Sequence, residues 1–160
     1  NIKPHNLGLS DRAGKLTFFV DPELSTSASA VNITEVANAR ETECALETMD
    51  TFCEMNNVKP NFIKCDVEGA ELMVYRGGKK TLQTHKPIVC TEMLRKWAAK
   101  YKYHPNDIIA LFDQLGYHCY FIKDEFLAAI KTVDETTMET NFIFLHHTQH
   151  AEKIKTWVKS

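Results

Sequence analysis

The fold of this chain is decided by one stretch of ten residues, Phe62-Ile63-Lys64-Cys65-Asp66-Val67-Glu68-Gly69-Ala70-Glu71. A short apolar run ends at Asp66, and three carboxylates then surround a glycine. This pattern is typical of a buried parallel strand whose C-terminal end opens into an acidic loop and then a helix. Because open α/β sheets bind ligands at the carboxyl ends of their strands, the acidic loop is the first candidate for a functional site.

The composition indicates a single globular domain over residues 1–160. Hydrophobic residues make up 44% of the 160 residues, which is enough for one core. The formal net charge is -2 and the basic residues are scattered, so nucleic acid is not expected as a partner. No apolar run reaches the length of a membrane span and the first residues lack a signal-peptide pattern, so we expect a cytoplasmic protein.

Neither the cysteines nor the histidines predict a metal site. The five cysteines form no Cys-x-x-Cys pair, and Cys65 and Cys90 lie in apolar runs where a free thiol is usually a small buried hydrophobe. Of the seven histidines, His146, His147 and His150 are close in sequence. Adjacent residues of a strand point to opposite faces, so this spacing is poor for a shared metal ion.

The second half of the chain alternates between strand and helix patterns. Strands are predicted over 61–66, 88–91, 117–122 and 141–145, and helices over 70–76, 79–84 and 151–158, with a further helix from Pro105 to a C-terminal cap at Gly116. Within 151–158, Ile154, Trp157 and Val158 are predicted to face inward. The alternation up to residue 116 favours parallel strands joined by right-handed crossovers. The final two strands are expected to pair antiparallel, which gives a mixed sheet flanked by helices, an α/β fold.

The remaining segments have weaker patterns. Residues 5–10 and 16–20 are predicted to be a strand and a following hairpin arm, joined by a polar turn that contains Gly14. Residues 21–32 predict a surface loop, and the second half of 41–57 has the spacing of a helix. Residues 123–140 predict irregular loop with at most one short helix, over 126–130.

The acidic loop resembles the signature of the FkbM-type methyltransferase family. Weaker matches follow in the family's order: 6–11 with Gly14, 49–52, 76–78, 86–92, 115–117 and 141–144. The resemblance implies a class I, Rossmann-like fold. It also implies methyl transfer from S-adenosylmethionine, usually to a hydroxyl oxygen of a small metabolite or glycan.

The sequence departs from the family pattern at its start. Family members begin with a strand that leads into a glycine-rich loop, followed by a second strand whose terminal acid binds the ribose of the cofactor. Neither has a counterpart here, since the six glycines contain no G-x-G pattern. The resemblance thus implies a partial, N-terminally truncated domain without its first two strands.

The loss of two strands from the middle of the family's sheet has three explanations. Residues 5–10 pair elsewhere, another molecule completes the sheet, or the chain is a fragment of a longer protein; we favour the fragment and expect the chain alone to be inactive. A strand edge left open in this way invites association, so we also expect a homo-oligomer through that edge.

The candidate catalytic residues are Asp66, Glu68 and Glu92, which ends the strand after the acidic loop. By the resemblance, the methyl donor and the acceptor meet at Asp66, where a carboxylate serves as the base that a hydroxyl acceptor requires. The same oxygens are also a candidate site for a divalent cation. Two structural alternatives are that Glu71 only complements the helix dipole and that Glu92 forms a salt bridge to Arg95 or Lys96.

The resemblance places Asn6, Ser10 and Asp11 where the family's third strand ends near the adenine, so they are the candidate cofactor-binding residues. Aromatic and basic residues alternate over 95–104 and predict either an acceptor pocket or a solvated helix face. The competing functional hypothesis is a non-catalytic interaction or cation-binding domain that retained the acidic loop.

Overall fold

The computed structural model describes residues 2–20, 28–29 and 40–159. This part of the chain forms, in order, β1 (Gly8–Ser10), β2 (Gly14–Val20), β3 (Ala28–Ser29), β4 (Arg40–Thr48), α1 (Met49–Met55), β5 (Phe62–Cys65), α2 (Glu71–Arg76), α3 (Lys79–His85), β6 (Ile88–Glu92), α4 (Arg95–Lys100), α5 (Pro105–Gln114), β7 (Tyr117–Lys123), β8 (Phe126–Ala129), β9 (Asn141–His146) and α6 (Ala151–Trp157). The elements form two mixed sheets with helices packed against them, which confirms the α/β class.

The larger sheet has the strand order β5-β6-β9-β7-β8. Strands β5 and β6 are parallel, with Phe62 opposite Ile88 and Cys65 opposite Thr91. Strand β9 runs antiparallel to both β6 and β7, as expected for the final strands. The α2–α3 pair forms the crossover between β5 and β6, and its two helices meet at Gly77 and Gly78.

The core lies between this sheet and the helices α2 and α5. Phe112 of α5 is fully buried and stacks on Phe144 of β9 with ring centroids 4.1 Å apart. Tyr75 of α2 and Tyr117 of β7 approach the same ring edge-on, at 4.8 and 5.2 Å. These contacts fix α2 on the sheet, and α2 begins directly after the acidic loop.

The smaller sheet has the strand order β1-β4-β2-β3. The predicted hairpin between the first two strands is wrong, because β4 lies between them, parallel to β1 and antiparallel to β2. Half-buried Cys44 and Leu46 alternate with exposed Glu43 and Ala45 in β4, which is the period of a strand. The helix predicted for the second half of 41–57 is confirmed as α1, which Thr48 caps by accepting from the backbone N–H of Thr51.

The strand β1 pairs with β4 and not with β5. Its end lies against the α2–α3 crossover, because the carbonyl oxygen of Ser10 is so near Gly77 that a side chain there would overlap it. Among the described residues β5 pairs with β6 alone, and Phe62 of β5 is 56% exposed. Association through this edge stays a prediction.

Two further local predictions are wrong. Residues 126–129 form strand β8 and not a helix, because Asp124 adopts a left-handed backbone conformation (φ 54°) that turns the chain back so that Phe126 pairs with Lys123. Trp157 of α6 was expected to face inward but is 41% exposed.

One prediction concerns a segment that the structure describes only in part. Of the loop predicted over 21–32, only Ala28 and Ser29 are described, and they form β3.

Within the described residues no helix has the length and apolar character needed to cross a membrane.

We predict that Phe112→Ala lowers the free energy of unfolding by about 3–5 kcal/mol, because it removes a buried ring that three other aromatic rings contact. Urea denaturation measures the change. Phe62→Ala is the matched control, since that ring is mostly exposed, and its effect should be under about 1 kcal/mol. Equal losses in the two variants would contradict this description of the core.

Candidate active site

The parallel pairing of β5 with β6 brings Asp66 and Glu92 to the same sheet edge. Cys65 lies opposite Thr91, so the next residue of each strand is an acid. Neighbouring strands are about 4.8 Å apart, which places the two residues side by side. Glu92 also pairs across β6 and β9 with Asn141, which adds a polar amide to this edge.

A tight turn after β5 places Glu68 beside them. The backbone N–H of Ala70 donates to the carbonyl of Val67 at 3.2 Å, and Glu68 adopts a left-handed conformation with φ 51°. Gly69 follows with φ 99° and packs against the backbone of Trp97, whose carbonyl oxygen would lie 2.7 Å from any added Cβ. Glycine is required here both for its conformation and for this close approach.

Glu71 holds the turn in place. Its carboxylate is buried, with 3% of the residue exposed, and its Oε1 accepts the backbone N–H groups of Val67 and Gly69 at 3.2 and 3.1 Å. Its Oε2 accepts the hydroxyl of Tyr103 at 3.1 Å. Glu71 does lie in the first turn of α2, as the dipole alternative requires, but its main contacts are these three hydrogen bonds.

The three remaining carboxylates differ in their surroundings. Asp66 is about half exposed and forms an ion pair with Lys64 at 2.9 Å. Glu92 is half-buried, and its pKa is raised by burial and by the nearby negative charges of Asp66 and Glu68. Glu92 is therefore the carboxyl group of this edge whose surroundings favour holding a proton.

Neither of the alternative partners considered for Glu92 forms an ion pair with it. Arg95 donates from Nη2 to the carbonyl of Glu135 at 3.5 Å. Lys96 lies over the Trp97 ring, 4.3 Å from its centroid. The cation that opposes the raised pKa of Glu92 is instead Lys64.

The segment rich in aromatic and basic residues after β6 forms α4 and the connection to α5. His104 and Asp107 cap the N-terminus of α5 in a reciprocal pair of hydrogen bonds. Tyr103 is half-buried and reaches back to Glu71. Sequence reasoning missed this role of Tyr103, since no local spacing links it to a carboxylate 32 positions earlier.

A cavity of about 260 Å³ lies directly beyond the end of β6. Residues 93–96 and 137–140 line it together with Val133. The backbone N–H of Met93 donates to the carbonyl of Thr140 at 2.8 Å, which ties the two lining segments together next to Glu92. The cavity is thus adjacent to the carboxyl ends of β5 and β6, where Asp66, Glu68 and Glu92 lie and which we call the acidic edge.

The cation alternative finds no support in the geometry. Within residues 2–20, 28–29 and 40–159, no group of three or more His, Cys, Asp or Glu side chains is arranged to hold a metal ion.

The family model described as the methyltransferase FkbM domain matches residues 1–119, about three quarters of the chain. The chain belongs to the FkbM methyltransferase family. This confirms the resemblance that the acidic loop indicated.

The chain is also similar to a solved structure, the crystal structure of the methyltransferase FkbM from Methylobacillus flagellatus KT at 2.20 Å resolution. The identity is 16% and the TM-score 0.45, and the similarity covers 88% of this chain and 27% of that one. The chain therefore spans about a quarter of the length of that protein. No curated protein matches it.

In this FkbM-family chain the candidate cofactor residues lie around β1. Asn6 and Asp11 are exposed, and the hydroxyl of half-buried Ser10 donates to Asp11 at 3.4 Å. Ser10 packs against Gly77 at the far end of α2 from the acidic turn, a separation of about 9 Å for six helical residues. The candidate cofactor residues thus lie near one end of α2 and the acidic turn near the other.

The histidines near the C-terminus have a structural role. Nδ1 of buried His146 accepts the backbone N–H groups of Thr148 and Gln149, both at 3.3 Å. Nδ1 of buried His150 accepts the backbone N–H of His146 at 2.9 Å. Burial is the main cause that lowers the pKa of both groups, to about 4 for His146.

We predict that this corner loses stability in acid. Because the pKa of His146 is lower in the folded state, its contribution is complete above the ordinary pKa of 6.5 and is lost as the pH falls toward about 4. Urea denaturation across this range should give a shallower pH dependence for His146→Gln than for the wild type. His118→Gln is the control at an exposed site, and an identical slope in all three proteins would contradict the assignment.

We predict that Gly69→Ala lowers the free energy of unfolding by about 1–3 kcal/mol or more, because it forces alanine into a left-handed conformation and against the Trp97 carbonyl. Gly14→Ala is the matched control, since an added Cβ there meets nothing within 4 Å. Chemical denaturation of both variants tests the requirement. A Gly69→Ala protein as stable as Gly14→Ala would show that the turn can relax.

Proposed function

We propose that this chain is the acceptor-side part of an S-adenosylmethionine-dependent O-methyltransferase that acts on a hydroxyl group of a small metabolite or glycan. The observation that carries the proposal is the acidic edge, where Asp66, Glu68 and Glu92 meet at adjoining parallel strands in a chain of the FkbM methyltransferase family. S-adenosylmethionine supplies an electrophilic methyl group in such reactions.

A hydroxyl acceptor explains why carboxylates are gathered at this edge. A neutral hydroxyl is a weak nucleophile and needs a base within hydrogen-bonding distance to take its proton. Glu92 suits this role best, because its raised pKa makes it a stronger base than an ordinary carboxylate. In the proposed reaction its carboxylate accepts the proton of the acceptor hydroxyl.

Asp66 and Glu68 have supporting roles in this proposal. Their negative charges add to the effect of burial in raising the pKa of Glu92, and their oxygens can accept hydrogen bonds from neighbouring hydroxyl groups of the acceptor. Lys64 pairs with Asp66 and limits the charge repulsion within the group. A polyhydroxylated acceptor would match such a set of acceptor oxygens.

The cavity beyond β6 is the proposed binding place for the acceptor. It adjoins Glu92, and it combines apolar side chains such as Met93 and Val133 with polar ones such as Arg95 and Thr137. This mixture suits a small ligand that is oriented by a few polar contacts.

The donor side of the reaction is not assigned to a cradle in this chain. Asn6, Ser10 and Asp11 remain the proposed contacts to the cofactor. Because the six glycines form no G-x-G loop, we expect no methyl transfer by residues 1–160 alone. The activity is proposed for the protein that contains this chain together with a donor-binding loop.

We predict that Glu92→Gln in that protein lowers methyl transfer by about 10²–10⁴-fold and leaves the binding of S-adenosylhomocysteine unchanged. Transfer of labelled methyl groups to a panel of hydroxylated acceptors and calorimetric titration measure the two quantities. The wild-type rate should fall as the pH drops through the pKa of Glu92, at a pH above the ordinary glutamate range.

The control variant is Glu43→Gln, at an exposed residue that pairs with Lys15 in the other sheet. It should retain the wild-type rate. A protein that binds no S-adenosylhomocysteine would contradict the proposed function, and a Glu92→Gln rate within about threefold of the wild type would contradict the role of Glu92.

A further inference from the structure

Glu71 is a buried carboxylate whose hydrogen-bond partners are neutral groups. Its two oxygens accept from the backbone N–H groups of Val67 and Gly69 and from the hydroxyl of Tyr103, at 3.1 to 3.2 Å. No ion pair within 4.0 Å joins it to a lysine, arginine or histidine among the described residues. A buried charge of this kind depends on its donors, so each of the three hydrogen bonds matters to its position.

Tyr103 is the one side-chain donor in this set. It is half-buried, and its pKa is raised by burial and by the negative charge of Glu71, so its hydroxyl keeps its proton across the physiological range. The hydroxyl therefore remains a donor to Oε2 of Glu71 across that range. This leaves Oε1 free to accept the two backbone N–H groups of the turn.

A second contact joins the same two segments. The backbone of Trp97 in α4 packs against Gly69, with no room for a side chain between them. The acidic turn is thus attached at two points to the segment that runs from α4 to Tyr103. That segment begins with residues that line the cavity beyond β6.

We propose that Tyr103 is a positioning residue for the acidic turn: through Glu71 it sets the place of Asp66 and Glu68 relative to Glu92. The consequence for catalysis rests on the proposed function, but the positioning itself does not. Without the hydroxyl, Oε2 of a buried carboxylate loses its partner, and Glu71 must move toward another donor. The backbone of the turn would move with it, since Val67 and Gly69 are bound to the same carboxylate.

The test compares Tyr103→Phe with Tyr117→Phe in this chain. Tyr117 is the matched control, because it also donates a hydrogen bond from a buried ring, to the carbonyl of Leu82 at 3.3 Å, but it lies away from the turn. Amide hydrogen exchange measures the protection of the Val67 and Gly69 N–H groups. NMR titration of the side-chain carboxyl measures the pKa of Glu92.

Tyr103→Phe should speed exchange at Val67 and Gly69 by about tenfold, since the hydrogen bonds from these two N–H groups to Glu71 become weaker. It should also bring the pKa of Glu92 closer to its ordinary value, because Asp66 and Glu68 move away. Tyr117→Phe should leave both quantities as in the wild type. A general loss of stability would instead speed amide exchange to a similar extent in both variants.

Glu71→Gln is the conservative variant that completes the test. Its carbonyl oxygen still accepts from Val67 and Gly69, and its amide can donate to the Tyr103 hydroxyl, so exchange at the turn should stay close to wild type. The proposal is overturned if Tyr103→Phe leaves both the exchange rates and the pKa of Glu92 unchanged. It is also overturned if Glu71→Gln speeds exchange at Val67 and Gly69 as much as Tyr103→Phe does. Neither readout uses a methyl donor or acceptor, so a negative result would leave the proposed function standing.

Discussion

The candidate site depends on one constraint, the parallel pairing of β5 with β6. Parallel strands end at the same edge of a sheet, and the register that places Cys65 opposite Thr91 brings Asp66 and Glu92 together. The aromatic cluster around Phe112 holds this arrangement, because it packs α2 and α5 against the neighbouring strands β9 and β7. A register shift of one residue would separate the acids and turn every side chain of β5 to the other face.

The four acids of the site divide into two kinds by their surroundings. Glu71 is buried and accepts three hydrogen bonds, two of them from the backbone of the turn, so it stabilises the conformation of the turn. Asp66, Glu68 and Glu92 are at least partly accessible, and partial burial together with the charges of Asp66 and Glu68 raises the pKa of Glu92. A structural carboxylate thus orders the backbone that holds the others close enough to alter each other's chemistry. The cost of crowding like charges is offset by Lys64 and by the hydrogen bonds of Glu71.

Sequence patterns correctly predicted the strands and helices in which the hydrophobic period and the residues at the two ends indicate the same type of element. The strand and helix on either side of the acidic turn, the helix that Pro105 opens and the strands at Tyr117 and Asn141 are all present. The errors occur where the chain's own pattern was short and a partner strand decided the structure. Residues 126–129 are a strand because they pair with β7, and residues 40–48 separate β1 from β2 because they pair with both. The hairpin between β1 and β2 failed for the same reason.

By itself the sequence determined the class of fold, the family of the chain and the place of the acidic turn, because these depend on residues close together along the chain. Only the tertiary structure decided how the acids divide their roles. It brought Tyr103 to Glu71 and Trp97 to Gly69, and it placed Glu92 where burial and neighbouring negative charges raise its pKa. The physical reason is that hydrogen bonding and electrostatic interaction depend on distance in space. Local periodicity carries no information about residues some thirty positions apart.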